Sequence, residues 1–241
     1  MLFGEQAVVY GYPCIVTSVS SRIYVEIEKS GNFLVDATQV KNHRFIEETV
    51  KIFCKKYNVS NNVLIKTYSD FSSKFGLGSS SAVTVATIRA LSQFYQIKIS
   101  KKEIFDLGYR VVKQVQGVGS GFDIAAATYG RTIYFVTGGK VIEPLSVKNL
   151  SLIIGYSGTK ADTTSVVNNL KLRIKNSELK YTKIFEIIKK IVEKAKIALV
   201  NGDWKTTGEL MNQNHKLLQK LGVSTVKLDK MCQTAVSSGA Y

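Results

Sequence analysis

Residues 74–86 read KFGLGSSSAVTVA, two glycines and three serines that turn directly into an alternation of small and β-branched residues. The run before it, NVLIKTYS, alternates apolar and polar residues as a half-buried strand does. The run after it, AVTVATIRALSQFYQI, sets Val85, Ile88, Leu91 and Tyr95 on one side of a helix, with Ser79, Ser80 and Ser81 where N-caps belong. A glycine-serine turn that opens a helix leaves several backbone N–H groups unpaired at the positive end of the helix dipole, which makes it an anion site. Gly76 and Gly78 would let the backbone close on phosphate oxygens, and the three serines add hydroxyls for phosphate or Mg2+. No G-K-[ST] follows, so this is not a Walker loop. A flexible connector is the competing reading of any such cluster taken alone.

A second glycine turn, QGVGSGFD, follows a helix rich in Lys and Gln, and its spacing is G-x-G-x-G. Neither feature suits a dinucleotide fingerprint, and a Rossmann fold is excluded. Asp123, just behind Gly121, admits two readings. A carboxylate among small residues can orient or deprotonate a substrate hydroxyl. It can equally cap the helix begun by IAAATYG.

The remaining patterns alternate strand and helix. SRIYVEIE puts Ile23, Val25 and Ile27 on one face, and HRFIEETVKIFCKKY spaces Phe45, Ile46, Val50 and Phe53 helically. Ser100 and Glu103 stand in capping-box spacing ahead of another helix. The first sixteen residues predict two short strands, RTIYFVTG and LSLIIGYSG two more, and TKADTTSVVNNL a helix start. Long helices are predicted around Ile184, Ile188, Ile191, Ala195 and Ala198, around TTGELMNQNHKLL and around TVKLDKMCQTAV. The change from strand-containing to mainly helical sequence near residues 140–150 predicts two packed lobes.

Composition sets the outer bounds. A chain of 241 residues that is 45% hydrophobic can bury a sizeable core, and no apolar run reaches the roughly 18 residues a membrane helix needs. No secretory leader is apparent, and a cytoplasmic protein is expected. Cys14, Cys54 and Cys232 lack metal-ligand or disulfide spacing. The net charge of +15 is spread over helical faces such as EIIKKIVEKAK, so nucleic acid is not an expected partner.

Together these stretches resemble the GHMP kinases, and among them the branch that phosphorylates mevalonate. The family's phosphate loop G-L-G-S-S-A-A stands here as GLGSSSA, residues 76–82. LFGEQAVVYGYP, residues 2–13, is very similar to the opening L-F-G-E-H-A-V-V-Y-G-x-P. GSGFDIAAATYG resembles the segment with the catalytic aspartate, and residues 210–229 resemble the helical signature of the second lobe. The resemblance implies an α+β two-lobe fold, with a ribosomal-protein-S5-like ATP-binding lobe over residues 1–146 and a ferredoxin-like lobe, here truncated, over residues 147–241.

It further implies ATP and Mg2+ as cofactors and a small-molecule substrate, mevalonate, phosphorylated on its C5 hydroxyl. Asp123 matches the catalytic aspartate, Ser80 the Mg2+-binding serine, and Gly76, Leu77, Gly78, Ser79 and Ser81 the rest of the nucleotide cradle. Gln6 and Thr163 fall at substrate positions, although Thr163 also suits a helix N-cap. Neither a membrane nor nucleic acid is implied, and a homodimer is left open. Phosphomevalonate is the alternative substrate, with Lys74, Lys113 and Lys160 as candidate cations for its phosphate. A catalytically idle homologue that senses a metabolite is the alternative of another class.

Several positions depart from the family pattern. Gln6 replaces the histidine of G-E-H, and Ser72 replaces the proline that leads the loop. The Mg2+-binding glutamate falls near Val112, leaving Gln114, Gln116 or water in its stead. The family's P-G-K segment before L-F-G-E and its glycine-rich segment after S-G-A-Y are not in this sequence. A form lacking both ends is expected to be less stable, prone to associate and weak as a kinase.

Overall fold

The computed structural model describes residues 1–39, 42–159 and 163–241, without the side chains of residues 163–169. Its residues fall into two compact units, Ser18–Gly130 and the combination of Met1–Thr17 with Arg131–Tyr241.

In the first unit, β2 (Ile23–Lys29) pairs antiparallel with β4 (Val63–Ser69), from Ile23 opposite Ser69 to Lys29 opposite Val63. β3 (Leu34–Asp36) lies parallel to β4 on its other side. The alternation read from the sequence holds in β2, where Ile23, Val25 and Ile27 turn inward while Tyr24, Glu26 and Glu28 are exposed. Four helices complete this unit: α1 (Arg44–Tyr57), α2 (Ser79–Phe94), α3 (Lys101–Gln116) and α4 (Phe122–Tyr129). Ile46, Val50 and Phe53 from α1, Val85, Ile88 and Leu91 from α2, and Phe105 and Val111 from α3 are buried. α3 starts on the expected capping box: Ser100 Oγ accepts from the Glu103 N–H at 3.2 Å, and Glu103 Oε2 accepts from the Ser100 N–H at 2.9 Å.

In the second unit, β1 (Pro13–Thr17), β5 (Thr132–Val136) and β6 (Val141–Leu145) form an antiparallel sheet in the order β1-β5-β6. Pro144 is tolerated because β6 is an edge strand. The helices are α5 (Thr163–Asn176), α6 (Glu178–Asn201), α7 (Trp204–Lys220) and α8 (Val226–Ser237). Ile184, Ile188, Ile191, Ala195 and Ala198 of α6 join Phe3, Ile15, Leu210, Leu217 and Leu221 in one core. Among the described residues no helix is long and apolar enough to cross a membrane.

Three expectations are corrected, and two strands are added. The opening residues make a single bridge, Phe3 to Ile15, and then a 3-10 turn over Ala7–Tyr10 instead of a first strand. LSLIIGYSG forms no strand: no neighbouring strand among the described residues takes up its backbone hydrogen bonds, and Ile153 is fully exposed. β3 and β6 were not predicted. β3 has only three residues and β6 carries a proline, so neither shows a clear alternation. The N-cap of α2 is Gly78, with Ser79, Ser80 and Ser81 forming the first turn inside the helix.

Candidate active site

In the unit Ser18–Gly130 the two glycine turns meet at two helix N-termini. Ser72 Oγ accepts from the Lys74 N–H at 3.2 Å and starts a 3-10 turn, Ser73–Phe75. Gly76 and Gly78 then take left-handed conformations, at φ 73° and 74°. The first internal bond of α2 is Ala82 N–H to Gly78 C=O, 2.9 Å. The N–H groups of Ser79, Ser80 and Ser81 therefore precede any helical partner, and no side chain caps them. Ser79 and Ser80 are partly exposed, whereas Ser81 is buried. Thr84 Oγ1 donates to the Ser80 carbonyl at 2.8 Å and steadies this turn from below.

The N-cap of α4 is Gly121, with φ 93°. A Cβ there would stand 2.9 Å from the Tyr109 ring, so only glycine fits. Asp123 is thus not the cap; it lies in the first turn of α4. A Cβ built on Gly78 would lie 3.6 Å from Asp123 Oδ1, which puts the carboxylate beside the start of α2. Loss of solvation pushes the Asp123 carboxyl up from 3.8 to about 6. Ser120 is also buried, and its Oγ has no hydrogen-bond partner among the described residues. The arrangement offers unpaired amide donors, hydroxyls and one basic carboxylate within one small region.

Val112 is buried in α3, where its Cγ1 would lie 3.1 Å from a Cβ on Gly119. It supports the second glycine turn by packing. Gln114 and Gln116 are exposed. Among the described residues no three His, Cys, Asp or Glu side chains converge on a metal position. Lys113 Nζ sits over the Tyr109 ring at 4.8 Å, Lys74 is exposed, and Lys160 lies outside the described residues.

The other unit contains Gln6, at φ 63° and ψ −48°. Ala7 N–H donates to the Glu5 carbonyl at 2.7 Å, closing a γ-turn of the rare positive-φ hand around Gln6. Gly4 makes this turn possible, since a Cβ there would meet the Pro13 carbonyl oxygen at 2.6 Å. Gln6 Oε1 is buried without a partner among the described residues. Asn214 Nδ2 donates to Glu5 Oε2 at 3.0 Å. Sequence reasoning passed over Glu5 and Asn214. The available signal was a polar residue on the apolar stripe Leu210, Asn214, Leu217 of α7, continued by Leu221 at its C-cap. Thr163 opens α5, and its side chain lies outside the described residues.

Residues 44–131 match the family of GHMP kinases, through its N-terminal domain. The chain is 34% identical to the mevalonate kinase of Pyrococcus horikoshii over 271 aligned positions, covering all of this chain and 80% of that protein. The structure matches L. major mevalonate kinase in complex with R-mevalonate with a TM-score of 0.82 at 25% identity, over 99% of this chain and 78% of that one. Streptococcus pneumoniae phosphomevalonate kinase shares the fold at a TM-score of 0.79 but only 18% identity, over 91% and 77%. These likenesses and the site define an ATP-dependent small-molecule kinase. The chain belongs to the GHMP kinase family, within which its relatives are the mevalonate kinases.

Proposed function

We propose that the protein transfers the γ-phosphoryl group of ATP to the C5 hydroxyl of mevalonate, giving 5-phosphomevalonate and ADP, a step of isoprenoid biosynthesis. The observation that carries this reading is the Asp123 carboxylate beside the uncapped N-terminus of α2. Amides and hydroxyls of Gly76, Leu77, Gly78, Ser79, Ser80 and Ser81 bind the ATP phosphates, since the donors precede the first helical bond and carry the positive end of the dipole. Asp123 accepts the proton of the attacking hydroxyl. With its pKa near 6 it is mostly ionised at neutral pH yet more basic than an ordinary aspartate.

The donor set fits an ion delivered on the nucleotide. The Ser80 hydroxyl, partly exposed in the first turn of α2, suits an ion that takes most of its ligands from phosphates and water. Ser80 would hold it, and the ion would supply charge neutralisation on the phosphates during an in-line transfer. Gln6 and Thr163 are assigned to the acceptor substrate. The nucleotide-binding domain is assigned to residues 1–146 and the second domain to residues 147–241. A water-soluble acceptor and ATP suit the cytoplasm.

A coupled ADP-release assay with mevalonate, phosphomevalonate, homoserine and galactose tests the reading. Turnover with mevalonate is expected. Turnover with phosphomevalonate alone overturns the substrate, and tight metabolite binding without turnover with any acceptor points to an idle homologue.

A further inference from the structure

Asn214 is a buried polar residue on an apolar helix face, only 3% exposed. Its Nδ2 donates to Glu5 Oε2, while its Oδ1 has no partner among the described residues. A leucine would satisfy the stripe formed by Leu210, Leu217 and Leu221 without leaving a polar atom unpaired. Glu5 provides the carbonyl that closes the γ-turn at Gln6, a backbone conformation that persists only when its surroundings hold it. From below, Gly4 presses this turn against Pro13 and Cys14. From α7, 209 positions away in sequence, Asn214 grips the Glu5 side chain. Gln6 Oε1 and Asn214 Oδ1 are both buried without a partner among the described residues.

We propose that Asn214 is a positioning residue for phosphoryl transfer: by holding Glu5 it fixes the strained turn that carries Gln6 on the acceptor side. This rests on the assignment of Gln6 to the acceptor side. Glu5, Gln6 and Asn214 belong to the unit that does not carry the glycine turns assigned to the nucleotide, so the effect of Asn214 is expected on the acceptor.

The test compares Asn214→Leu, Asn214→Asp, Glu5→Gln and the Asn214→Asp/Glu5→Gln pair, using whichever acceptor the wild type turns over. A wrong acceptor assignment therefore leaves this test intact. Asn214→Leu is expected to keep its thermal midpoint while lowering kcat/KM for the acceptor about tenfold or more, the size of effect that a displaced orienting group produces. The KM for ATP is expected to stay within about twofold. Asn214→Asp sets two carboxylates together and is expected to be worse. Adding Glu5→Gln restores one donor and one acceptor with their roles exchanged, and is expected to recover most of that loss. Unchanged acceptor kinetics in Asn214→Leu, an equal rise in the KM for ATP, or no recovery in the exchanged pair would each overturn the proposal. If Asn214→Leu does not fold, the recovery in the exchanged pair decides alone.

Discussion

The Cβ position of Gly78 lies 3.6 Å from Oδ1 of Asp123, so the cap of one helix faces the first-turn carboxylate of another. Amides without a helical partner and a buried carboxylate with a raised pKa stand together at this point. Their separation leaves ordinary van der Waals space for a methyl group.

Gly78→Ala is therefore expected to act through the backbone more than through collision. Its φ of 74° is unfavourable for any residue with a Cβ, by about 1 kcal/mol. Thermal unfolding should show a loss of about that size, and the KM for ATP should rise because the first amides of α2 are re-aimed. A wild-type KM for ATP would separate the cap from nucleotide binding.

Gly121→Ala is expected to be more damaging. The added methyl group would meet the Tyr109 ring at 2.9 Å at a residue with φ 93°, so the turn ahead of Asp123 has to shift. Turnover should fall by about tenfold or more. The double variant with Tyr109→Ala, which removes the obstructing ring, should recover part of it. Equal turnover of the two variants would show that ring contact to be unimportant.

Val112→Glu tests whether the family's missing carboxylate can be restored. The site is packed against the second glycine turn, and a buried carboxylate without a partner destabilises by roughly 2 kcal/mol or more. A lower thermal midpoint with no gain in activity at limiting Mg2+ is expected. A gain in activity at low Mg2+ would mean that the side chain reaches the ion.

Much of the nucleotide side was legible because its signals are local. The glycine-serine turn, the helix after it and the Ser100–Glu103 box each depend on residues within a few positions, and the structure has them at 3.2 Å and 2.9 Å where a capping box requires. The cap of α2 was placed on Ser79–Ser81 and lies just before them at Gly78, because Gly78 and the serines are all good N-cap candidates and only backbone conformation separates them. Residues 150–158 looked like a strand because apolar runs carry no record of whether a pairing neighbour exists. Glu5 and Asn214 went unread for the opposite reason: their bond joins residues 209 apart, and no local pattern announces it.

Asp123 also makes stability depend on pH. Its folded pKa, about 6, lies above the ordinary 3.8, so the folded state binds this proton more tightly than the unfolded chain. That advantage is fully present below about pH 4 and is lost as the pH rises through about 6, amounting to up to about 3 kcal/mol. Asp123→Asn cannot ionise, and its thermal midpoint at pH 7 is expected to equal or exceed that of the wild type. The difference should shrink toward pH 4. A midpoint at pH 7 well below the wild type would make Asp123 a structural residue.

The most direct test of the whole account is kcat/KM for mevalonate phosphorylation between about pH 5 and pH 8, in the wild type and in Asp123→Asn. In the wild type the rate should rise with pH along a limb centred near 6, because the carboxylate must be ionised to accept the proton of the C5 hydroxyl. In Asp123→Asn the rate should drop by roughly 10²–10⁴ and the limb should vanish. A flat wild-type profile, or an Asp123→Asn variant within about fivefold of it, would contradict Asp123 as the base and with it the proposed mechanism.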